Sequence, residues 1–124
     1  MTRNKPSLIA LFFSLSCFLA PTLAAEPAAT KAEIAYLFSA LEASNCQFSR
    51  NGSWYNAKEA AAHLRTKYKY LQDRDLIPSS EKFVERAATQ SSFSGKAYQI
   101  KCADSLVQPS GTWFLAVLAK HRAQ

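Results

Sequence analysis

The chain has 124 residues, with 15 Lys and Arg against 9 Asp and Glu, for a formal net charge of +6. That length leaves room for one domain. A hydrophobic content of 48% with only 3 Gly and 5 Pro excludes a disordered, collagen-like or low-complexity chain.

The first residues read as an export address. Arg3 and Lys5 precede an uncharged, mostly apolar run over 8–20, which Pro21 breaks before Thr22-Leu23-Ala24. A basic start, an apolar middle and small residues at the −3 and −1 positions are the parts of a secretory signal peptide. The run is too short to span a bilayer core, which needs roughly 20 helical residues. Cys17 sits inside the run, after Ser14-Leu15-Ser16 and before Phe18, the wrong order for lipid attachment. Cleavage is expected after Ala24, so 1–24 is set aside as a cleaved signal peptide. Losing Arg3 and Lys5 lowers the net charge from +6 to +4. Export places the chain in an oxidising compartment, where paired cysteines persist. The two that remain, Cys46 and Cys102, allow one bridge, to which loop-closure entropy assigns roughly 4 kcal/mol.

Residues 25–30 read as a disordered lead and 31–122 as a single domain. Thr30 and Glu33 have capping-box spacing, and Ile34, Leu37, Phe38 and Leu41 follow at helical spacing. A first helix is therefore predicted from about 31 to 44, with Asn45 ending it in a left-handed conformation. Cys46–Tyr55 reads as a hairpin around Asn51-Gly52, the pair that a type I′ turn prefers. Asn56 and Glu59 cap a second helix over about 57–73, with Ala57, Ala60, Ala61, Leu64, Tyr68 and Leu71 as its apolar stripe. Ser79 and Ser80 open a third helix with Phe83, Val84 and Ala87 inward. Tyr98, Ile100 and Cys102 alternate with Gln99 and Lys101, as in a half-buried strand. Residues 103–109 read as loop. A last helix opens at Pro109-Ser110 with Trp113, Phe114, Val117 and Leu118 inward. The expected fold class is α+β: four helices on a small three-stranded antiparallel sheet, in the order α-β-β-α-α-β-α, with one disulfide.

The strings R-N-G-S-W-Y at 50–55, A-A-A-H-L-R-T-K-Y at 60–68, S-S-F-S-G-K-A-Y-Q-I-K-C at 91–102 and P-S-G-T-W-F at 109–114 resemble the YfeK-like family of small exported bacterial proteins, a group of unknown function. The resemblance covers about 31–122. It implies a periplasmic protein of Gram-negative bacteria, and it carries no activity and no functional residue with it.

His63 has Glu59 one helical turn before it and Lys67 one turn after. A carboxylate at i−4 could orient the imidazole for general-base work; the plainer reading is a surface pair. Glu59, His63 and Tyr68 are thus the candidates for an enzyme or small-ligand site. His121 beside Arg122 suits a helix C-terminus. Cys46, His63, Cys102 and His121 show no metal-ligand spacing, so no metal or cofactor is expected. Arg65, Lys67, Lys69 and Arg74 make the second helix basic, a face for an anionic cell-wall polymer or simply a solvated one. Nucleic acid is in the wrong compartment. Trp54 and Tyr55 point to opposite sheet faces: either helices cover both faces and both rings are core, or one ring is an anchor for a sugar or a protein. Ser91–Lys96 is a small-residue loop fixed by a strand, a shape that inserts into a partner's cleft with little ordering cost, or a serine-rich turn in which Gly95 supplies φ > 0.

These residues favour a soluble periplasmic accessory module, not an enzyme, that engages an envelope protein, with a cell-wall hydrolase held inhibited as the candidate partner. Its expected working surface is Arg50, Asn51, Trp54 and Tyr55 of the hairpin with Ser92, Ser94 and Lys96 of the loop. No membrane span is expected after cleavage.

Overall fold

The structure is a computed structural model that describes residues 2–19 and 25–124. The Pro21 break and the cleavage site after Ala24 lie outside the described residues. Residues 2–19 are exposed and carry no regular secondary structure, and no helix among the described residues is long and apolar enough to cross a membrane.

The elements run α1 (Ala28–Ala43), β1 (Cys46–Arg50), β2 (Ser53–Asn56), α2 (Ala57–Gln72), α3 (Ser80–Ala87), β3 (Gln99–Cys102), β4 (Gln108–Pro109) and α4 (Ser110–Arg122). The α+β class holds, with four helices and one antiparallel sheet among the described residues. The sheet has four strands in the order β2-β1-β3-β4, not three. The added strand is the two-residue β4, whose Pro109 lacks an N–H and sits on an edge, where such a residue is tolerated.

Two helix starts follow the sequence pattern. Asn56 Oδ1 accepts the Glu59 N–H (2.9 Å) and Ser79 Oγ accepts the Lys82 N–H (3.1 Å), the side-chain capping that satisfies a first-turn donor. The start of α1 does not. It begins at Ala28 behind Pro27, with no side-chain cap, so residues 28–30 of the expected disordered lead are helix. Thr30 is buried inside that helix. Glu33 turns away from it to accept from Ser80 Oγ (2.8 Å) and Arg122 Nη2 (2.9 Å). At the other end the chain leaves through Ser44 in an extended conformation. Among the described residues the left-handed non-glycine ones are Asn51, Asp75 and Ala103, not Asn45.

Asn51 and Gly52 have φ of 50° and 83°, as the type I′ turn requires. The register then sorts the sheet. Phe48 lies opposite Tyr55 and Ile100, and Cys46 opposite Cys102. These side chains share the face that the helices cover. The bridge joins Cys46 and Cys102 between adjacent antiparallel strands. Ser49 lies opposite Trp54 and Gln99, and Gln47 opposite Asn56 and Lys101, on the uncovered face. The core gathers Ile34, Leu37, Phe38 and Leu41 of α1, Leu64 of α2, Phe83 and Val84 of α3, Phe114 and Leu118 of α4, and Phe48, Tyr98 and Ile100 of the sheet side. Ala57, Ala60 and Ala61 are buried along α2, and their small side chains let that helix lie close to the rest of the core.

Candidate functional site

The hairpin tip and the 91–96 loop come together. Asn51 Nδ2 donates to Ser91 Oγ (3.4 Å), and Ser94 Oγ donates to Asn51 Oδ1. Ser91 is buried and organises the loop: its Oγ accepts the N–H groups of Phe93 and Ser94 (both 3.2 Å), and its N–H donates to Lys96 O (2.9 Å). Gly95 closes the turn at φ 72°. The loop presents Phe93, 97% exposed.

Behind the tip lies a pocket of about 320 Å3 lined by Arg50, Asn51, His63, Lys67, Ser91, Ser92, Phe93 and Tyr98. Its floor is a chain of polar contacts. Arg50 Nη1 donates to His63 Nδ1 (3.1 Å), His63 Nε2 lies 3.1 Å from Tyr98 Oη, and Lys67 Nζ donates to Tyr98 Oη (3.3 Å) and to Gln90 O (3.0 Å). A guanidinium can only donate, so His63 Nδ1 accepts. The neutral ring then carries its proton on Nε2 and donates it to Tyr98. Protonating His63 would set a second donor against Arg50. Burial first, then the charges of Arg50 and Lys67, push the His63 pKa below its ordinary value. Burial first, then Arg50, hold Lys67 down to about 8. Burial raises the Tyr98 hydroxyl, with Arg50 pulling the other way.

No carboxylate lines this pocket. Elsewhere in the domain several cations have acidic partners: Arg65 with Glu42, Lys69 with Asp73 (3.2 Å), Lys82 with Glu85 (2.7 Å), and Arg122 with Glu33 and Glu81, while Arg86 on the adjoining cleft donates to Leu76 O. Among the described residues Arg50 and Lys67 have no acidic partner. Both are half-buried.

The expected sites are therefore redistributed. Glu59 is exposed, and the two nitrogens of His63 go to Arg50 and Tyr98 instead of to Glu59. Tyr68 belongs to a different cluster, where it donates to Glu26 while Gln72 Nε2 donates to the same carboxylate (2.8 Å). Burial and that carboxylate raise the Tyr68 pKa. Trp54 is 44% exposed on the uncovered sheet face, so it is not core, and it stands on the opposite face from Arg50. Tyr55 is half-buried on the helix-covered face, with the Arg50 guanidinium 5.3 Å from its ring centre. Ser92 lines the pocket, while Lys96 is simply exposed. The basic residues expected on the second helix do not form one patch: Arg65 and Lys69 are paired, Arg74 lies in the turn beyond α2 and stacks on Tyr70 (3.6 Å), and Lys67 turns to Tyr98.

Lys67 and Tyr98 are not legible as site residues: Lys67 reads as one of a basic face, and Tyr98 is core, as its pattern predicts, but its hydroxyl meets His63 and Lys67 at the pocket. The one signal for Lys67 was its place one turn after His63. Among the described residues no three His, Cys, Asp or Glu side chains gather as a metal-holding group.

Three comparisons set this chain among known proteins. The profile of a family described as "Family of unknown function (DUF5329)" matches residues 28–122. The uncharacterized protein YfeK of Salmonella typhimurium is 33% identical over 99 residues, which make up 79% of this chain and 77% of that protein. No solved structure matches.

Proposed function

The chain belongs to the DUF5329 family, a family of unknown function, and from its site we propose that it is an exported, non-enzymatic accessory protein that binds an anionic group of a cell-envelope component. The observation that carries this is the pair Arg50 and Lys67, half-buried side by side with no carboxylate among the residues that line their pocket. Holding two cations out of water without a counter-charge is costly, and the depressed Lys67 pKa registers that cost. An anion that enters relieves it, and perturbed groups gathered in a cleft are where binding sites are found.

Two features support the setting. The basic start, apolar run and small residues of 1–24 fit export. The Cys46–Cys102 bridge fits an oxidising compartment. The expected periplasmic mature chain would begin at Ala25, which N-terminal sequencing of protein recovered from the periplasm reads directly.

A second reading, an alternative to a small anionic ligand, is a protein partner, and the observation that favours it is Phe93, an almost fully exposed aromatic at the pocket rim. Exposed aromatics beside a charged group are typical interface anchors. The anion would then be a partner's carboxylate, and inhibition of a cell-wall hydrolase would follow if that carboxylate were catalytic.

The test is an amide chemical-shift titration with phosphate, sulfate and acetate at constant ionic strength. Saturable shifts at Asn51, Lys67 and Ser91–Ser94, lost in the Arg50→Gln/Lys67→Gln double variant, are expected. If no anion moves these amides, the reading falls.

A further inference from the structure

The pocket is not isolated. Lys67 and Ser92 also line a neighbouring cleft of about 310 Å3, completed by Thr66, Tyr70, Leu71 and Arg86. The two spaces adjoin at those residues, so a groove runs from an end lined by Arg50 and Lys67 to an end lined by Thr66, Tyr70, Leu71 and Arg86. Tyr70 is 55% exposed there.

The cationic end has a definite appetite. His63 is neutral by the donor argument above, so the fixed charge at this end is that of Arg50 and Lys67, two positive charges, and the Arg86 guanidinium on the adjoining wall and Arg74 over the Tyr70 ring add to the positive field. A carboxylate or a phosphodiester supplies one negative charge. A phosphate monoester supplies close to two at neutral pH, with three acceptor oxygens. The wall is also rich in donors. Arg50 has five N–H groups and gives one to His63, and Lys67 has three and gives two to Gln90 and Tyr98. Tyr98 Oη accepts from both His63 and Lys67, and its own hydrogen has no acceptor among the described residues. Unspent donors with two unopposed charges match an acceptor-only dianion.

We propose that this groove binds a phosphate monoester carrying an apolar group, with the phosphate between Arg50 and Lys67 and the apolar group along Thr66, Tyr70 and Leu71. The proposal rests on the anion-binding reading above and narrows it to one ligand chemistry. A cleft of about 310 Å3 beside the pocket suits a ring or a short alkyl stretch next to the phosphate.

Inorganic phosphate, phenyl phosphate and benzoate, titrated at pH 7.5 and constant ionic strength, test it. Phenyl phosphate is expected to bind at least tenfold more tightly than either of the others. Tyr70→Ala should weaken phenyl phosphate at least tenfold more than it weakens inorganic phosphate. Arg50→Gln should weaken both phosphates more than tenfold. Benzoate binding as tightly as phenyl phosphate would overturn the dianion argument while leaving the anion pocket standing. Equal affinity for inorganic and phenyl phosphate would overturn the apolar half. No binding of any of the three would remove this proposal and the anion-binding reading together. Vesicles of phosphatidylcholine with one tenth phosphatidic acid separate the sources of such an ester. Cosedimentation that phenyl phosphate reverses assigns it to a membrane lipid. Soluble binding without cosedimentation assigns it to a dissolved ester. Either supports the proposal.

Discussion

Replacing Lys67 by glutamine is expected to stabilise the unliganded protein at pH 7. The folded structure holds this ammonium at about 8, against 10.5 for a free lysine. At 1.36 kcal/mol per pH unit that drop corresponds to about 3.4 kcal/mol against the charged form. Lys67 is only half-buried, and water screens such a group much as it does surface ion pairs, so roughly 1–2 kcal/mol should survive. For a domain of this size, 1 kcal/mol moves Tm by about 4–8 °C. Between pH 8 and 10.5 the unfolded chain keeps the Lys67 proton that the folded chain releases, so the Lys67 contribution to stability rises with pH across that window. The variant lacks this rise, and its advantage should shrink from pH 8 and be gone by about 10.5. The groups around the ammonium are Arg50 of β1, His63 of α2 and Tyr98, with Arg86 of α3 on the adjoining groove. Urea unfolding of both proteins at pH 7, 8, 9 and 10, followed by circular dichroism at fixed salt, reads the difference. A variant less stable than wild type at pH 7, or a gap that stays constant to pH 10, would refute the reasoning. Lys67 would then be an ordinary structural donor to Gln90 and Tyr98.

Three further outcomes are expected. The Cys46→Ser/Cys102→Ser double variant should lose about 2–4 kcal/mol, seen as a lower urea midpoint that reductant no longer changes. Glu33 is held at about 2 by its bond to Arg122, with Ser80 also donating to it, Arg122 and His121 nearby, and burial opposing; the Glu81 carboxylate shares Arg122. The folded value lies below the unfolded one, so the Glu33 contribution is present above about pH 4.5 and fades as pH falls towards 2. Glu33→Gln should lack that acid-dependent loss in unfolding measured between pH 5 and 2. Trp54 stands on the sheet face away from the pocket, so Trp54→Ala should leave the affinity for anions unchanged in the same titrations.

What the sequence discloses here follows from the range of the interactions. The Asn51-Gly52 turn and the caps at Asn56 and Ser79 are local, a few residues each, and their chemistry is written in consecutive letters. The bridge was legible because only Cys46 and Cys102 remain for it. The start of α1 was not. Glu33 has capping spacing from Thr30, but its carboxylate is claimed by Ser80 and Arg122, 47 and 89 residues away. β4 hides because two residues carry no period and one of them is proline. The site shows both cases. His63 was visible as a lone histidine on a helix, and helical spacing offered Glu59 and Lys67 as neighbours. Its ring partners, Arg50 and Tyr98, lie 13 and 35 residues away on other elements, so only the fold chooses between the carboxylate and the cations. That choice reverses the sign of the site, from an acid–base pair to a pocket for an anion.

The most direct measurement is the pKa of Lys67 itself, followed through its Nζ and Cε resonances in the free protein and at saturating phosphate. Binding and protonation are reciprocally linked. The anion-pocket account expects a value near 8 in the free protein that climbs by more than one pH unit as phosphate fills the pocket. A free value near 10.5, or one that phosphate leaves where it was, would contradict it.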